Sequence, residues 1–137
     1  HICLSMEITD VSVDGLMSDD LVTATPDTAI EAAAKRLLEH DIGSLVVIDS
    51  DEHLEGILTS TDFLELATGE NSSAGGTVEQ YMSTDVASVD ANATLQEAAA
   101  KMMSHDIQHL PVLDGEGAVI GMFSATDLTG HLAYLQA

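Results

Sequence analysis

Two stretches of this chain stand 65 positions apart and read alike: Gly56-Ile57-Leu58-Thr59-Ser60-Thr61-Asp62 and Gly121-Met122-Phe123-Ser124-Ala125-Thr126-Asp127. The same offset relates Met17 to Met82, His40-Asp41-Ile42 to His105-Asp106-Ile107, and Leu45, Val47 and Asp49 to Leu110, Val112 and Asp114. A register kept without insertion identifies a duplicated supersecondary unit. One copy of roughly 60 residues leaves much apolar surface uncovered. Two copies packed through their sheets, related by a pseudo-two-fold axis, would bury it.

The order of elements follows from periodicity. Val13 to Met17 leads in, and Leu21 to Thr25 reads as a short strand ended by Pro26. Asp27 or Thr28 is placed to cap a helix, with the capping-box spacing Thr28-x-x-Glu31. Ile30, Ala33, Ala34, Leu37 and Leu38 form one apolar helix face, repeated as Leu95, Ala98, Ala99, Met102 and Met103. That helix is expected to end near His40-Asp41, with Gly43 just beyond. Ser44 to Ile48 is a continuous β-rich run, expected to be buried on both faces. Asp49 to Glu52 is a polar turn, Leu54 to Leu58 a returning strand, and Thr59 to Leu66 a second helix. Each unit is therefore β-α-β-β-α, an α/β (α+β) fold. Gly69 to Gly76 has the composition of a flexible linker.

The strand-to-helix corners carry the chemistry. Each aims hydroxyls, a carboxylate and helix N–H groups at one place, a combination suited to a sugar phosphate or nucleotide. The same residues have a plainer reading. Thr59, Thr61, Ser124 and Thr126 can cap the second helices, and Asp62 and Asp127 suit a first helical turn. His105 and His109 have metal-binding spacing only if both lie on one helix, and a helix end is expected between them. Met102 and Met103 read as core fillers.

Charge narrows the partners. Three Lys and Arg face 24 Asp and Glu, a formal net charge of −21. Such a surface repels nucleic acid and itself. Salt relieves the self-repulsion, since the Debye length falls to about 3 Å at 1 M. The poverty in lysine resembles proteins of salt-accumulating halophiles, and a cytoplasmic location is expected. Cys3 is the one cysteine, so no internal disulfide forms. No apolar run approaches the roughly 18 residues of a membrane span. Residues 1–5 are expected to be a cloning remnant ahead of a native Met6.

The run His105-Asp106-Ile107-x-x-Leu110-Pro111-Val112-Leu113-Asp114, its counterpart at 40–49 and the two Asp-ended corners resemble the CBS domain, here as a tandem pair (a Bateman module). The likeness divides the chain into a tail at 1–12, repeat 1 at 13–68, a linker at 69–77 and repeat 2 at 78–137. It implies a regulatory module, not an enzyme, that senses AMP, ADP, ATP or S-adenosylmethionine in the cleft between repeats. It implies no required cofactor, a homodimer and an effector protein. One site would join Thr59, Thr61 and Asp62 with Val78, Met82, Ile107, Gln108, His109 and Pro111. The other would join Ser124, Thr126 and Asp127 with Val13, Met17, Ile42, Gly43 and Ser44. The Asp would take the ribose hydroxyls and the Ser or Thr the phosphate.

The family often places Arg or Lys beside the strand, where this chain has His109 and Ser44. An imidazole, with an ordinary pKa of about 6.5, holds phosphate only when protonated. Lys35, Arg36 and Lys101 all fall on the first helices. Three alternatives follow: few phosphates, a phosphate-poor ligand such as S-adenosylmethionine, or help from salt cations or Mg2+. An empty scaffold or a cation sensor are the other functional readings.

Overall fold

The computed structural model describes residues 11–68 and 75–136. Cys3, the proposed cloning remnant and most of the linker lie outside them. The chain forms two compact units, Val22–Val86 and a second made of residues up to Leu21 together with Ala87 onwards.

In the contiguous unit, β1 (Thr23–Ala24) runs parallel to β2 (Ser44–Ile48), which pairs antiparallel with β3 (Leu54–Thr59). Helix α1 (Ile30–His40) crosses between β1 and β2, and α2 (Ser60–Thr68) follows β3 directly. The other unit repeats this with β4 (Val89–Asp90), α3 (Leu95–His105), β5 (His109–Leu113), β6 (Val119–Ser124) and α4 (Ala125–Gln136). The central strands are buried as the apolar runs predict: Leu45, Val46 and Val47 in β2, and Leu110, Pro111 and Val112 in β5. Pro111 is tolerated there because Met122, its partner on β6, turns its own N–H and C=O away to Ser18. The missing N–H faces β4, which starts opposite Val112, one position later than β1 starts in the first repeat.

Both first helices pack by a narrower face than the periodicity predicts. Ile30, Ala33 and Leu37, and their equivalents Leu95, Ala98 and Met102, enter the cores. Leu38 and Met103, expected on that face, are each 82% exposed. At about 100° per residue, position 38 lies about 140° around the helix from Ala33. The expected Thr28–Glu31 capping box is also absent. The N-cap is Ala29, without a side-chain bond, and the Thr28 hydroxyl instead accepts from the Thr25 N–H at 3.0 Å. The Ile30 N–H donates to the Gly76 carbonyl (3.1 Å), so backbone does the work of a cap. In α3 the equivalent Thr94 does cap, accepting from the Glu97 N–H at 3.0 Å. Both helices end at an Asp in the left-handed region, Asp41 (φ 52°), two residues before Gly43 and where the end was expected, and Asp106 (φ 54°), which no glycine follows until Gly115.

The lead-in segments are exchanged between the sequence repeats. Val78, in a 3₁₀ turn (Val78–Gln80), donates its N–H to Thr28 and is wholly buried in the contiguous unit. Val13, in the equivalent turn (Val13–Gly15), donates to Ala93 and is wholly buried in the other. Further along, Ser83 exchanges two hydrogen bonds with Ile57 on β3 (both 2.9 Å), and Ser18 does the same with Met122 on β6 (2.8 and 2.9 Å). This brings the lead-in backbone against two glycines. A Cβ on Gly56 would lie 2.7 Å from the Ser83 carbonyl, and one on Gly121 would lie 2.9 Å from that of Ser18.

Candidate ligand-binding corners

Each corner forms because its apolar strand passes into a helix with no intervening loop, so the last strand residue becomes the helix cap. At the end of β3, Asp62 Oδ2 accepts from the Thr59 N–H (2.7 Å) and from the Thr59 hydroxyl (3.2 Å). At the end of β6, Asp127 Oδ2 accepts from the Ser124 N–H (2.8 Å), while the Asp127 N–H donates to Ser124 Oγ (3.1 Å). The second corner is a full reciprocal capping box; in the first the carboxylate takes both donors. The plainer reading thus holds for Ser124, Asp62 and Asp127, which bond across the helix start; the Thr59 hydroxyl donates to Asp62 and does not cap, and Thr61 and Thr126 accept no helix N–H among the described residues. It leaves chemistry over. Among the described residues, Oδ1 of either Asp accepts no hydrogen bond, and the Ser124 hydroxyl proton remains free to donate. Both carboxylates are half-buried; Thr61 and Thr126 are exposed beside them.

Sheet register fixes what surrounds each corner. Thr59 pairs with Ser44, and the Ser60 N–H donates to the Gly43 carbonyl at 3.1 Å. Ser124 pairs with His109, and the Ala125 N–H donates to the Gln108 carbonyl at 2.9 Å. Within its own unit, then, Asp62 stands with Gly43 and Ser44, and Asp127 with Gln108 and His109. Met82 and Met17 lie half-buried along the lead-ins, while Val78, Val13 and Pro111 are buried. Ile42 and Ile107 are half-buried just before the central strands. An open groove of about 370 Å³ between α3 and α4 takes in Met102, Met103, Ile107, Gln108 and Leu128.

Two of the three cations have fixed structural roles. Arg36 Nη1 donates to the Thr23 carbonyl at 2.7 Å, and Lys101, its equivalent, donates through Nζ to the Ser88 carbonyl. His105 closes α3 and His109 opens β5, so they do not share a helix.

One cluster escaped the sequence reading. Asp49, Asp51 and His53 bring potential ligand atoms within 4.8 Å of one another at the β2–β3 turn. Asp49 Oδ1 accepts from the Asp51 and His53 N–H groups (2.8 and 2.9 Å), and Oδ2 lies 3.6 Å from His53 Nδ1. Asp114 makes the same turn, accepting from Glu116 and Ala118 (2.8 and 3.0 Å) without an imidazole. The cluster is accounted for as turn architecture. The His53 N–H, chiefly, holds the Asp49 carboxyl below its ordinary 3.8.

The CBS domain family model matches residues 10–69 and 78–134. The chain belongs to the CBS domain family and carries two tandem copies. It is 34% identical over 120 residues to an uncharacterized 17.7 kDa protein of Acidianus ambivalens, covering 88% of this chain and 72% of that one. It is 31% identical over 117 residues to a homoserine O-acetyltransferase of Methanohalobium evestigatum, covering 85% of this chain but 23% of that enzyme. Among solved structures it resembles the CBS domain pair of protein MJ0100 in complex with 5′-methylthioadenosine and S-adenosyl-L-methionine. The TM-score is 0.80 at 27% identity, covering 90% of this chain and 97% of that one. CBSX2, solved in complex with AMP, shares the fold at a TM-score of 0.82 and 23% identity, covering 92% and 98%. No helix among the described residues is long and apolar enough to cross a membrane.

Proposed function

We propose that this chain is a regulatory module that binds an adenosyl compound at its Asp62 and Asp127 corners and has no catalytic role. The observation that carries the reading is the division of labour within each carboxylate. One oxygen is fixed by the helix cap, so the other is held in place as an acceptor for ribose hydroxyls. The MJ0100 pair, bound to two adenosyl compounds, supports the same class of ligand. The ligand acts by population shift, favouring whichever conformation holds it more tightly. A second copy of the chain is the natural partner for the first helices, because Leu38 and Met103 occupy equivalent positions and are equally exposed.

The test separates capping from binding. An Asn amide oxygen can accept the cap N–H but gives no carboxylate to the ribose. Asp62→Asn/Asp127→Asn is therefore expected to keep its fold, read by circular dichroism, and to lose at least about tenfold in affinity for 5′-methylthioadenosine by calorimetry. Unchanged affinity in the folded double variant would remove the proposal.

A further inference from the structure

Among the described residues of its own unit, each corner lacks a counter-charge, and the reason is architectural. Arg36 and Lys101 occupy equivalent positions, and each is tied to a backbone carbonyl at the start of the outer strand of its sheet, that of Thr23 in β1 or of Ser88 just before β4. Within a unit the corner lies at the end of the strand on the opposite edge, β3 or β6. Two strand spacings separate those edges, about 10 Å. Lys35 is exposed midway along α1, about eight residues before Gly43, or roughly 12 Å along the helix axis. The residues that do flank the corners, Ser44 and His109, carry no permanent charge. The cap N–H groups of Thr59 and Ser124 are taken by the protein's own carboxylates, so an anion arriving at either corner meets a fixed negative charge. Around all of this stands a net charge of −21.

Resting on the adenosyl reading above, we infer that the corners select adenosyl compounds whose 5′ substituent is uncharged or cationic and discriminate against nucleoside phosphates. A carboxylate already stands at each helix start, the Arg36 and Lys101 cations are held at the far edge of their own units' sheets, and the surface field opposes each added phosphate. Neutral 5′-methylthioadenosine meets no such opposition, and cationic S-adenosylmethionine is attracted.

Calorimetric titrations with 5′-methylthioadenosine, S-adenosylmethionine, AMP and ATP test this, without divalent cations. They are run at the lowest KCl that keeps a native circular dichroism spectrum and again at about 2 M, where screening is nearly complete. At low salt both phosphate-free ligands are expected to bind at least about tenfold tighter than ATP, with AMP between. Raising KCl should strengthen ATP, weaken S-adenosylmethionine and leave 5′-methylthioadenosine nearly unchanged. His109→Arg, which sets a cation opposite Ser124, should raise ATP affinity selectively. Arg36→Gln and Lys101→Gln should leave the ratio of AMP to 5′-methylthioadenosine affinity as it was. AMP or ATP binding as tightly as 5′-methylthioadenosine at low salt, a gap indifferent to KCl, or a selective loss of AMP in Arg36→Gln or Lys101→Gln would each overturn the inference while leaving the adenosyl reading intact. Failure of all four ligands would instead overturn that reading and the inference with it.

Discussion

Replacing Gly56 by alanine tests the packing of the lead-in segment. The new methyl would stand 2.7 Å from the Ser83 carbonyl oxygen and 2.7 Å from Met82 Sδ. The Met82 side chain can swing aside, but the carbonyl is backbone and must move by several tenths of an ångström. It is also the acceptor of the Ile57 N–H, in a pair whose two bonds are both 2.9 Å. Losing that pair costs about 2 kcal/mol, and the crowding adds about 1–2 kcal/mol. Alanine's lower backbone entropy in the unfolded chain returns about 0.5–1 kcal/mol. The net expectation is a loss of about 2–3.5 kcal/mol. Urea unfolding in about 2 M KCl reads it directly, as a lowered midpoint at unchanged slope. Gly130→Ala is the control. It lies inside α4 with nothing within 4 Å of the new Cβ, and should stabilise by up to about 1 kcal/mol. A Gly56→Ala protein within about 0.5 kcal/mol of the parent would refute the close approach, whatever the control does.

Three other outcomes follow from the structure. The Asp49 carboxyl titrates below its ordinary 3.8, so its stabilising contribution is present above that value and is lost as pH falls through the folded pKa; a carbon-detected NMR titration of Asp49 with a midpoint at or above 3.8 would contradict this. Under the proposed pairing of two copies through the first helices, Leu38→Asp/Met103→Asp is expected to halve the mass seen by light scattering, with the circular dichroism spectrum unchanged; a parent already of monomer mass, or an unaltered mass in the variant, would remove that pairing. Raising KCl from about 0.2 to about 2 M should raise the melting temperature by several degrees as the −21 charge is screened, and a flat response would show that self-repulsion is not a significant load.

The fold was legible because a register of 65 positions repeats strands, helix faces and corners alike. What repetition could not reveal is which copy a segment packs against. Met17 and Met82 match by offset whether each lies on its own repeat or on the other, and the exchange is decided by backbone bonds such as Ser18 to Met122. The Thr28 cap failed because Gly76, distant in sequence, supplies the acceptor for Ile30. Leu38 and Met103 were placed in the core because an apolar residue at the margin of a stripe has the same letter as one at its centre. At the corners the motif letters alone point to helix-start bonds, which the Asp62 and Asp127 carboxylates make. Within each unit, strand register adds Ser44 beside Thr59 and His109 beside Ser124, neighbours that follow from pairing and not from the repeat.

The exchanged lead-ins bear on how such a chain is made and how it arose. All of Val22–Val86 is synthesised before β6, so that unit can close first. Val13 must wait about 110 residues for its core neighbour Phe123, a delay of roughly 5–20 s at ordinary rates of synthesis. For that interval the apolar lead-in is left without its core neighbours. In a single-repeat ancestor, the same lead-in could reach its seat only on another molecule. Duplication and fusion would have turned an intermolecular swap into an intramolecular one, making assembly independent of concentration.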